Sequence, residues 1–368
     1  MSNLGVCFVH GDALDLFRGE NGPRFGGSET QIYLMARTLA DAGEFDIRLV
    51  ADKDVTGAAY PGISFHLPPP LIRRGLPYVS RFINLKRLRE PYEGLDDAIL
   101  LQTVLCDYTI PTWQAARRLG FKFVYRMSCD ADIDGSLWPP ERAAEFHAAL
   151  RDADGIIAQT EEQQRRLRDE LGVASTIVPS IVELPGEGPA LTGDKVLWVG
   201  RGAPIKRPWI MAEAARRLPD IDFVVLMPVE NKLFWRCIVQ EMERIPNLTV
   251  VPGVSYFEMA RYYREASVVV QTSAIEGVPN VFLQAAAQGK PVISFEVDPD
   301  GMLGREGIGR STGGDVDAFH KAIAEYVEDA DLRAKQGLAG FEYVRRTHSP
   351  EAVRPVLTEF LRGVFAGR

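Results

Sequence analysis

One carboxylate and two cations have the types and spacing to do chemistry. Glu276 opens the run Glu276-Gly277-Val278-Pro279-Asn280-Val281-Phe282-Leu283-Gln284, shortly after the apolar segment Val268-Val269-Val270. That order predicts a loop at the carboxyl edge of a parallel strand, followed by the unpaired N–H groups of a new helix. Such a place can hold a sugar hydroxyl through Glu276 and a phosphate through the helix start. The cations belong to a second element, Val196-Leu197-Trp198-Val199-Gly200-Arg201 and then Lys206. Arg offers a planar fork to phosphate oxygens, and Lys a compact charge. The two either converge on one anionic group or stand as ordinary solvated loop charges. Converged, they would stabilise the negative charge that builds on a diphosphate as it leaves a sugar.

The elements that must position these groups alternate along the chain. In the first half, Val6–Val9, Ile47–Val50, Ala98–Leu101, Phe121–Tyr125 and Gly155–Ala158 read as strands. A helix over Glu29–Ala42 ends at Gly43, and one from about Thr112 to Leu119 stops at Gly120. Thr160, followed by Glu161 and Glu162, reads as a helix N-cap. The stretch Val182–Pro189 is rich in Pro and Gly and reads as an interdomain linker. The pattern then restarts, with strands at Val196–Val199, Phe223–Leu226, Leu248–Val251, Val268–Val270 and Val292–Ser294. Alternating units of this kind imply an α/β protein with mostly parallel sheets covered on both faces. The expected layout is two Rossmann-like, doubly wound domains, residues 1–185 and 186–348, facing each other across a cleft. A C-terminal helix, 349–368, would cross back to the first domain. Ligands of open α/β sheets bind at the carboxyl edges of the strands, where the motifs here fall.

Composition narrows the function. The chain has 368 residues, 46% apolar and 25% charged, with a formal net charge of −8. That balance argues against broad nucleic-acid binding, which needs a basic field. Cys7, Cys106, Cys129 and Cys237 are scattered without a CxxC pair, as for reduced cysteines in the cytoplasm. The start reads as a strand and not as a signal peptide, and no apolar run reaches the ~18 residues needed to span a bilayer.

Several further segments carry two readings. Gly26-Gly27-Ser28-Glu29-Thr30 is either a loop bordering a diphosphate or a simple turn with Ser28 as N-cap. It is neither a Walker loop nor a nucleophile elbow, and Gly200-Arg201-Gly202 lacks the third glycine of a dinucleotide fingerprint. The acids Asp130, Asp132, Asp134 and Glu141 match an EF-hand spacing. A strand in place of the entering helix, and Pro139-Pro140 within the loop, argue against calcium. These acids are expected on a loop, some of them meeting acceptor hydroxyls. Arg73, Arg74, Arg81, Lys86, Arg87 and Arg89 form a basic run beside apolar residues at helical spacing. Residues 72–89 are therefore either a peripheral contact with anionic lipid or an amphipathic helix with a solvated face. None of the five histidines has a partner at metal-ligand spacing.

Taken together, Val199-Gly200-Arg201 with Lys206, Glu276 to Gln284, and Gly289-Lys290-Pro291-Val292-Ile293-Ser294 resemble glycosyltransferase family 4, in particular its polysaccharide-assembly enzymes. Gly26-Gly27-Ser28-Glu29 resembles that family's N-terminal glycine loop. The resemblance runs from Gly26 to the C-terminal helix. It is strongest from Val196 to Ser294. It implies a GT-B fold, a nucleoside-diphosphate-sugar donor, a glycan or glycolipid acceptor, retention at the anomeric carbon, and no metal or other cofactor. It also implies that Arg201 and Lys206 bind the diphosphate and Glu276 the sugar hydroxyls. The amides of Asn280 and Val281 would face phosphate, and Gly253 and Val254 would lie near the base. The sequence departs from the family at two places. Gln284 stands where a second Glu usually grips ribose, and Ser128 where a His usually positions the donor sugar. Arg126 or Asp130 would then serve on that side. The departures keep two alternatives open: a nucleotide-sugar-binding subunit without transfer activity, and a GT-B-like epimerase or phosphorylase. A cytoplasmic location, at the inner face of the membrane if the basic run binds lipid, accompanies the leading reading.

Overall fold

The computed structural model describes residues 4–10, 12–19, 26–51, 54–67, 89–136, 138–229 and 232–367. Most of the basic run at 72–89 lies outside the described residues. Contacts divide the described residues into two compact units, residues 4–19 and 26–181 with 350–367, and residues 182–349.

The first unit is built on a seven-stranded parallel sheet in the order β3-β2-β1-β4-β5-β6-β7. Its strands are β1 (Leu4–Val9), β2 (Asp46–Val50), β3 (Ile63–His66), β4 (Asp97–Thr103), β5 (Lys122–Arg126), β6 (Gly155–Ala158) and β7 (Thr176–Ile177). Successive strand residues point to opposite faces. Cys7, Val9, Leu100, Phe123 and Tyr125 therefore share one core with Ala115, Phe146 and Leu150 of the helices Thr109–Leu119 and Pro140–Arg151. The intervening Val6, Phe8, Ile99, Leu101 and Val124 are equally buried on the other face. The last helix, Pro350–Phe365, covers part of that face. A Cβ on Gly155 would lie 2.8 Å from both Phe360 and Val364. This helix also stacks Phe365 on Phe45, with ring centroids 5.9 Å apart, and pairs Arg362 with Glu44.

The second unit holds a six-stranded parallel sheet in the order β10-β9-β8-β11-β12-β13. Its strands are β8 (Lys195–Val199), β9 (Phe223–Leu226), β10 (Leu248–Val251), β11 (Ala266–Gln271), β12 (Val292–Ser294) and β13 (Gly309–Ser311). Every residue of β11 is buried, as a central strand covered on both faces requires. Val196, Trp198, Val268, Val270 and Ile293 pack on Met211, Ala215, Phe319 and Ile323 of the flanking helices. In each sheet the strand order reverses once, between β1 and β4 and between β8 and β11. Those reversals are the positions where a doubly wound sheet opens a crevice for ligands.

Local signals explain most element ends. Gly43 and Gly120 close their helices with φ of 67° and 74°, a left-handed cap that glycine adopts without steric cost. Thr160 caps its helix by accepting from the Gln163 N–H at 3.0 Å. Two ends differ from the sequence expectation. The helix expected from Thr112 begins at Thr109, because Pro111 falls in the first turn, where its missing N–H costs nothing. Ser28 is not an N-cap. Gly26 holds that position, and the Glu29 carboxylate folds back to accept from its N–H at 2.9 Å and from the Ser28 hydroxyl at 2.8 Å.

Candidate functional site

The site grows from two loops that flank the reversal between β8 and β11. After β8 the chain passes Gly200 and the exposed Arg201 into a tight turn, Pro204–Lys206. After β11 it runs through Thr272 and Ser273 to Glu276, and then into the helix Asn280–Ala287. The two loops are stitched together. The Thr272 hydroxyl donates to the Lys206 carbonyl at 2.6 Å and accepts from the Trp198 indole N–H at 2.9 Å. The Ala274 N–H donates to the Ile205 carbonyl at 2.9 Å. Arg207 completes the clamp. Its guanidinium donates to the carbonyls of Thr272 at 2.6 Å and Ser273 at 2.7 Å, and pairs with Glu296 at 2.7 Å.

This stitching brings Lys206 against Glu276. The Lys206 Nζ donates to the Glu276 Oε1, which also accepts from the Gln271 Nε2 at 3.0 Å. Both side chains are mostly buried, at 18% and 17% exposed, so solvent screens the pair only partly. An ammonium has three donors, so Lys206 keeps two for another anion. Oε1 already takes two donors, which leaves Oε2 for a hydroxyl. Gln271 is held in turn by the Ser273 N–H, which donates to its Oε1 at 2.9 Å.

The remaining expected residues are distributed as follows. Asn280 and Val281 occupy the first turn of an eight-residue helix after Pro279, at its positive end. Gln284 lies one turn further on. Its Oε1 already accepts from the buried Tyr263 hydroxyl at 2.8 Å, so the oxygen expected to meet ribose is engaged. Gly253 and Val254 follow β10, at the edge of the sheet, and Gly253 has a φ of 113°. In the first unit, Gly26 and Gly27 form the start of the helix Gly27–Ala42 after β1. Arg126 ends β5, is buried, and donates to the Ser180 Oγ at 2.6 Å. Burial pushes its guanidinium down to about 10, still charged at neutral pH. Asp130 accepts from the Gln163 amide at 3.0 Å, and burial raises its carboxyl above the usual range.

The acid-rich stretch departs from expectation. It is not a loop. Ala131–Asp134 makes one helical turn, and Asp132 is buried inside it. The Asp132 Oδ2 accepts from the Ser128 N–H at 2.7 Å, the Ser128 hydroxyl at 2.8 Å and the Tyr125 hydroxyl at 3.2 Å. Its lone pairs serve the turn after β5 and are not offered to an acceptor. Among the described residues no group of three or more His, Cys, Asp and Glu side chains could hold a metal ion. Arg207 and Thr272 were not legible as site residues, because they act on backbone carbonyls, nor was Gln271, whose amide acts on the Glu276 side chain; no spacing marks any of them.

Two doubly wound parallel sheets, the second with a lysine–glutamate pair at its reversal point, make up the GT-B architecture of glycosyltransferases. Residues 193–329 match the family model for group 1 glycosyl transferases. It is 30% identical over 207 residues to a D-inositol 3-phosphate glycosyltransferase of Pseudarthrobacter chlorophenolicus, which covers 50% of this chain and 49% of that one. A protein of the same description from Streptomyces scabiei is 25% identical over 270 residues, 62% of this chain and 59% of that one. The chain thus spans about half the length of the curated relatives it matches. The fold is similar to that of a sucrose-phosphate synthase from Thermosynechococcus elongatus, with a TM-score of 0.76 and 17% identity over 100% of both chains. It is also similar to a glycosyltransferase from Rickettsia africae, with a TM-score of 0.73 and 11% identity over 99% of both.

Proposed function

We propose that this protein transfers a sugar from a nucleoside-diphosphate donor to an acceptor hydroxyl. The observation that carries the reading is the Lys206–Glu276 pair, held at the strand-order reversal of the second sheet and followed directly by the helix start at Asn280. In this reading the two unused Lys206 donors and the Arg201 fork take diphosphate oxygens. The amides of Asn280 and Val281 add the helix's positive end, and Glu276 Oε2 accepts from a hydroxyl of the sugar. The anomeric carbon–oxygen bond breaks, and the diphosphate oxygen takes on negative charge against these donors. A bond forms from the anomeric carbon to the acceptor oxygen, and the acceptor's proton passes to the departing diphosphate.

Retention of configuration belongs to the same proposal, with attack from the face the diphosphate leaves. No protein base and no metal ion is required, because the leaving group takes the proton and Lys206 with Arg201 supplies the positive charge. The base would be met near Gly253 and Val254, and Gln284 would present its amide N–H groups to the ribose. The acceptor class, a glycan or glycolipid, follows from the polysaccharide-assembly resemblance. The named relatives act on an inositol phosphate, which widens that class to small phosphorylated polyols. Among the described residues no helix is long and apolar enough to cross a membrane.

The test is a screen of nucleoside diphosphates and their sugars by thermal shift, followed by release of free diphosphate in the presence of acceptors. A strong shift with one diphosphate, lost in Lys206→Ala, is expected. Binding without any turnover across acceptor classes would favour a nucleotide-sugar-binding subunit instead. No shift with any diphosphate would end the proposal.

A further inference from the structure

Three polar side chains stand in line at the carboxyl edge of the first sheet. Thr103 and Arg126 are register partners on β4 and β5. The pairing of Phe8 with Leu101 carries His10, two residues on, level with Thr103. Neighbouring strands lie about 4.8 Å apart, so the three share one face as a row. All are buried, His10 at 5%, Thr103 at 0% and Arg126 at 3% exposed. Among the described residues the Thr103 Oγ1 and the His10 Nδ1 make no hydrogen bond.

Arg126 is the unusual member. A guanidinium has five N–H donors, and its one hydrogen bond among the described residues goes to a neutral group, the Ser180 hydroxyl. Ser180 donates its hydroxyl in turn to the Gln159 Oε1 at 3.2 Å, and the Gln159 Nε2 donates to the Met127 carbonyl at 2.5 Å. No carboxylate among the described residues forms an ion pair with Arg126. Arg48, the other buried arginine among them, is paired with Asp46 at 3.1 Å. Glu29, the acid on this face, stands 3.9 Å from His10, and one of its oxygens is taken by the Gly26 N–H and the Ser28 hydroxyl. A buried cation without a counter-charge is costly, and buried charges are normally paired.

We propose that Arg126, with the Thr103 hydroxyl, forms an oxyanion subsite in the first unit that takes a phosphate group carried by the acceptor. The fork of Arg126 suits two phosphate oxygens, and the Thr103 hydroxyl supplies a short neutral donor beside it. The proposal rests on the reading of the chain as a sugar transferase. It adds that the preferred acceptor is phosphorylated, either as a soluble polyol phosphate or as a lipid phosphate.

The test is calorimetric titration of the full chain with inorganic phosphate at constant ionic strength. It uses a Lys206→Gln background, which weakens the diphosphate site of the second unit. Saturable one-to-one binding is expected, weakened at least tenfold when Arg126→Met is added. In the otherwise unaltered chain, Arg126→Met should raise the melting temperature without phosphate, since it removes an unpaired charge and keeps an apolar stem. It should abolish the stabilisation by phosphate in the Lys206→Gln background and, in the otherwise unaltered chain, leave nucleoside-diphosphate affinity unchanged. That last readout separates this subsite from the donor reading, which fails only if the unaltered chain binds no diphosphate. Phosphate binding that Arg126→Met does not change, or a lower melting temperature in phosphate-free buffer, overturns the subsite. Competition by inositol 3-phosphate identifies a soluble source, and competition by vesicles containing phosphatidic acid a lipid source. Competition by neither overturns the acceptor assignment.

Discussion

Replacing Arg207 separates two effects that the structure joins at one residue. Its backbone has φ 48° and ψ 51°, a left-handed conformation that costs a residue with a Cβ about 1–2 kcal/mol. Its guanidinium donates to the carbonyls of Thr272 and Ser273, residues that are 0% and 2% exposed. Losing a partner for two such carbonyls costs about 1–3 kcal/mol each. The pair with Glu296, which is 50% exposed, adds under ~1 kcal/mol. Arg207→Ala keeps the backbone penalty and loses the clamp, for a net loss of about 3 kcal/mol. For a unit of this size that is roughly 6–12 °C. Arg207→Gly loses the same clamp but relieves the backbone, and should melt about 2–4 °C above the alanine variant. Both should bind nucleoside diphosphate more weakly and turn over about 10- to 100-fold slower with Lys206 intact, because the turn that presents Lys206 is no longer held. Differential scanning calorimetry of the two variants, with diphosphate titrations, checks each part. If the alanine variant melts above the glycine variant, the strain argument is wrong. If neither loses stability, the clamp is not what holds the loops.

Lys206→Ala should lower kcat about 10²-fold or more, by analogy with removal of one oxyanion donor, as read by release of diphosphate. Lys290 is buried, donates to the Thr192 carbonyl at 2.7 Å, and is lowered to about 8 by burial and by the nearby Arg264 and Arg333. The folded chain therefore holds its proton less tightly than the unfolded chain, for which the value is 10.5. Stability from this group is full above 10.5 and is lost as pH falls towards about 8. At neutral pH the deficit is about 3 kcal/mol, less about 1 kcal/mol for the bond to Thr192. Lys290→Met should raise the melting temperature of the second unit at pH 7, and the gain should fade between pH 8 and 10.5 in calorimetric scans. Gly337→Ala would place a Cβ 2.1 Å from the Gly289 carbonyl, where the helix Ala330–Thr347 crosses close to the turn before β12. It should destabilise by about 1–3 kcal/mol in urea unfolding.

Buried parallel strands write themselves into the sequence as apolar runs, which is why Phe223–Leu226, Val292–Ser294 and Gly155–Ala158 were legible to the residue; Leu248–Val251, an edge strand, was legible because three of its four residues are aliphatic. The strands that were not expected, Ile63–His66, Thr176–Ile177 and Gly309–Ser311, all lie at sheet edges. These three edge strands are short and half solvated, so their residues carry no continuous apolar signal. At the site, Lys206 and Glu276 were legible because each follows a recognisable strand, and the structure brings them together. Arg207 was not, since nothing in a pattern of side-chain types announces a residue whose work is to hold two carbonyls. Asp132 shows the opposite error. A run of acids looks like an offer to a ligand, yet burial turns one of them into the organiser of its own turn.

The helix Pro350–Phe365 belongs to the unit that begins at the other end of the described chain. On the ribosome, that unit's sheet is synthesised long before the segment that covers Gly155. Its seven strands must wait, with that strip of apolar surface open, while all of residues 182–349 are made. The order of synthesis thus favours independent folding of the later-made unit, and it makes the first-made one the last to be sealed.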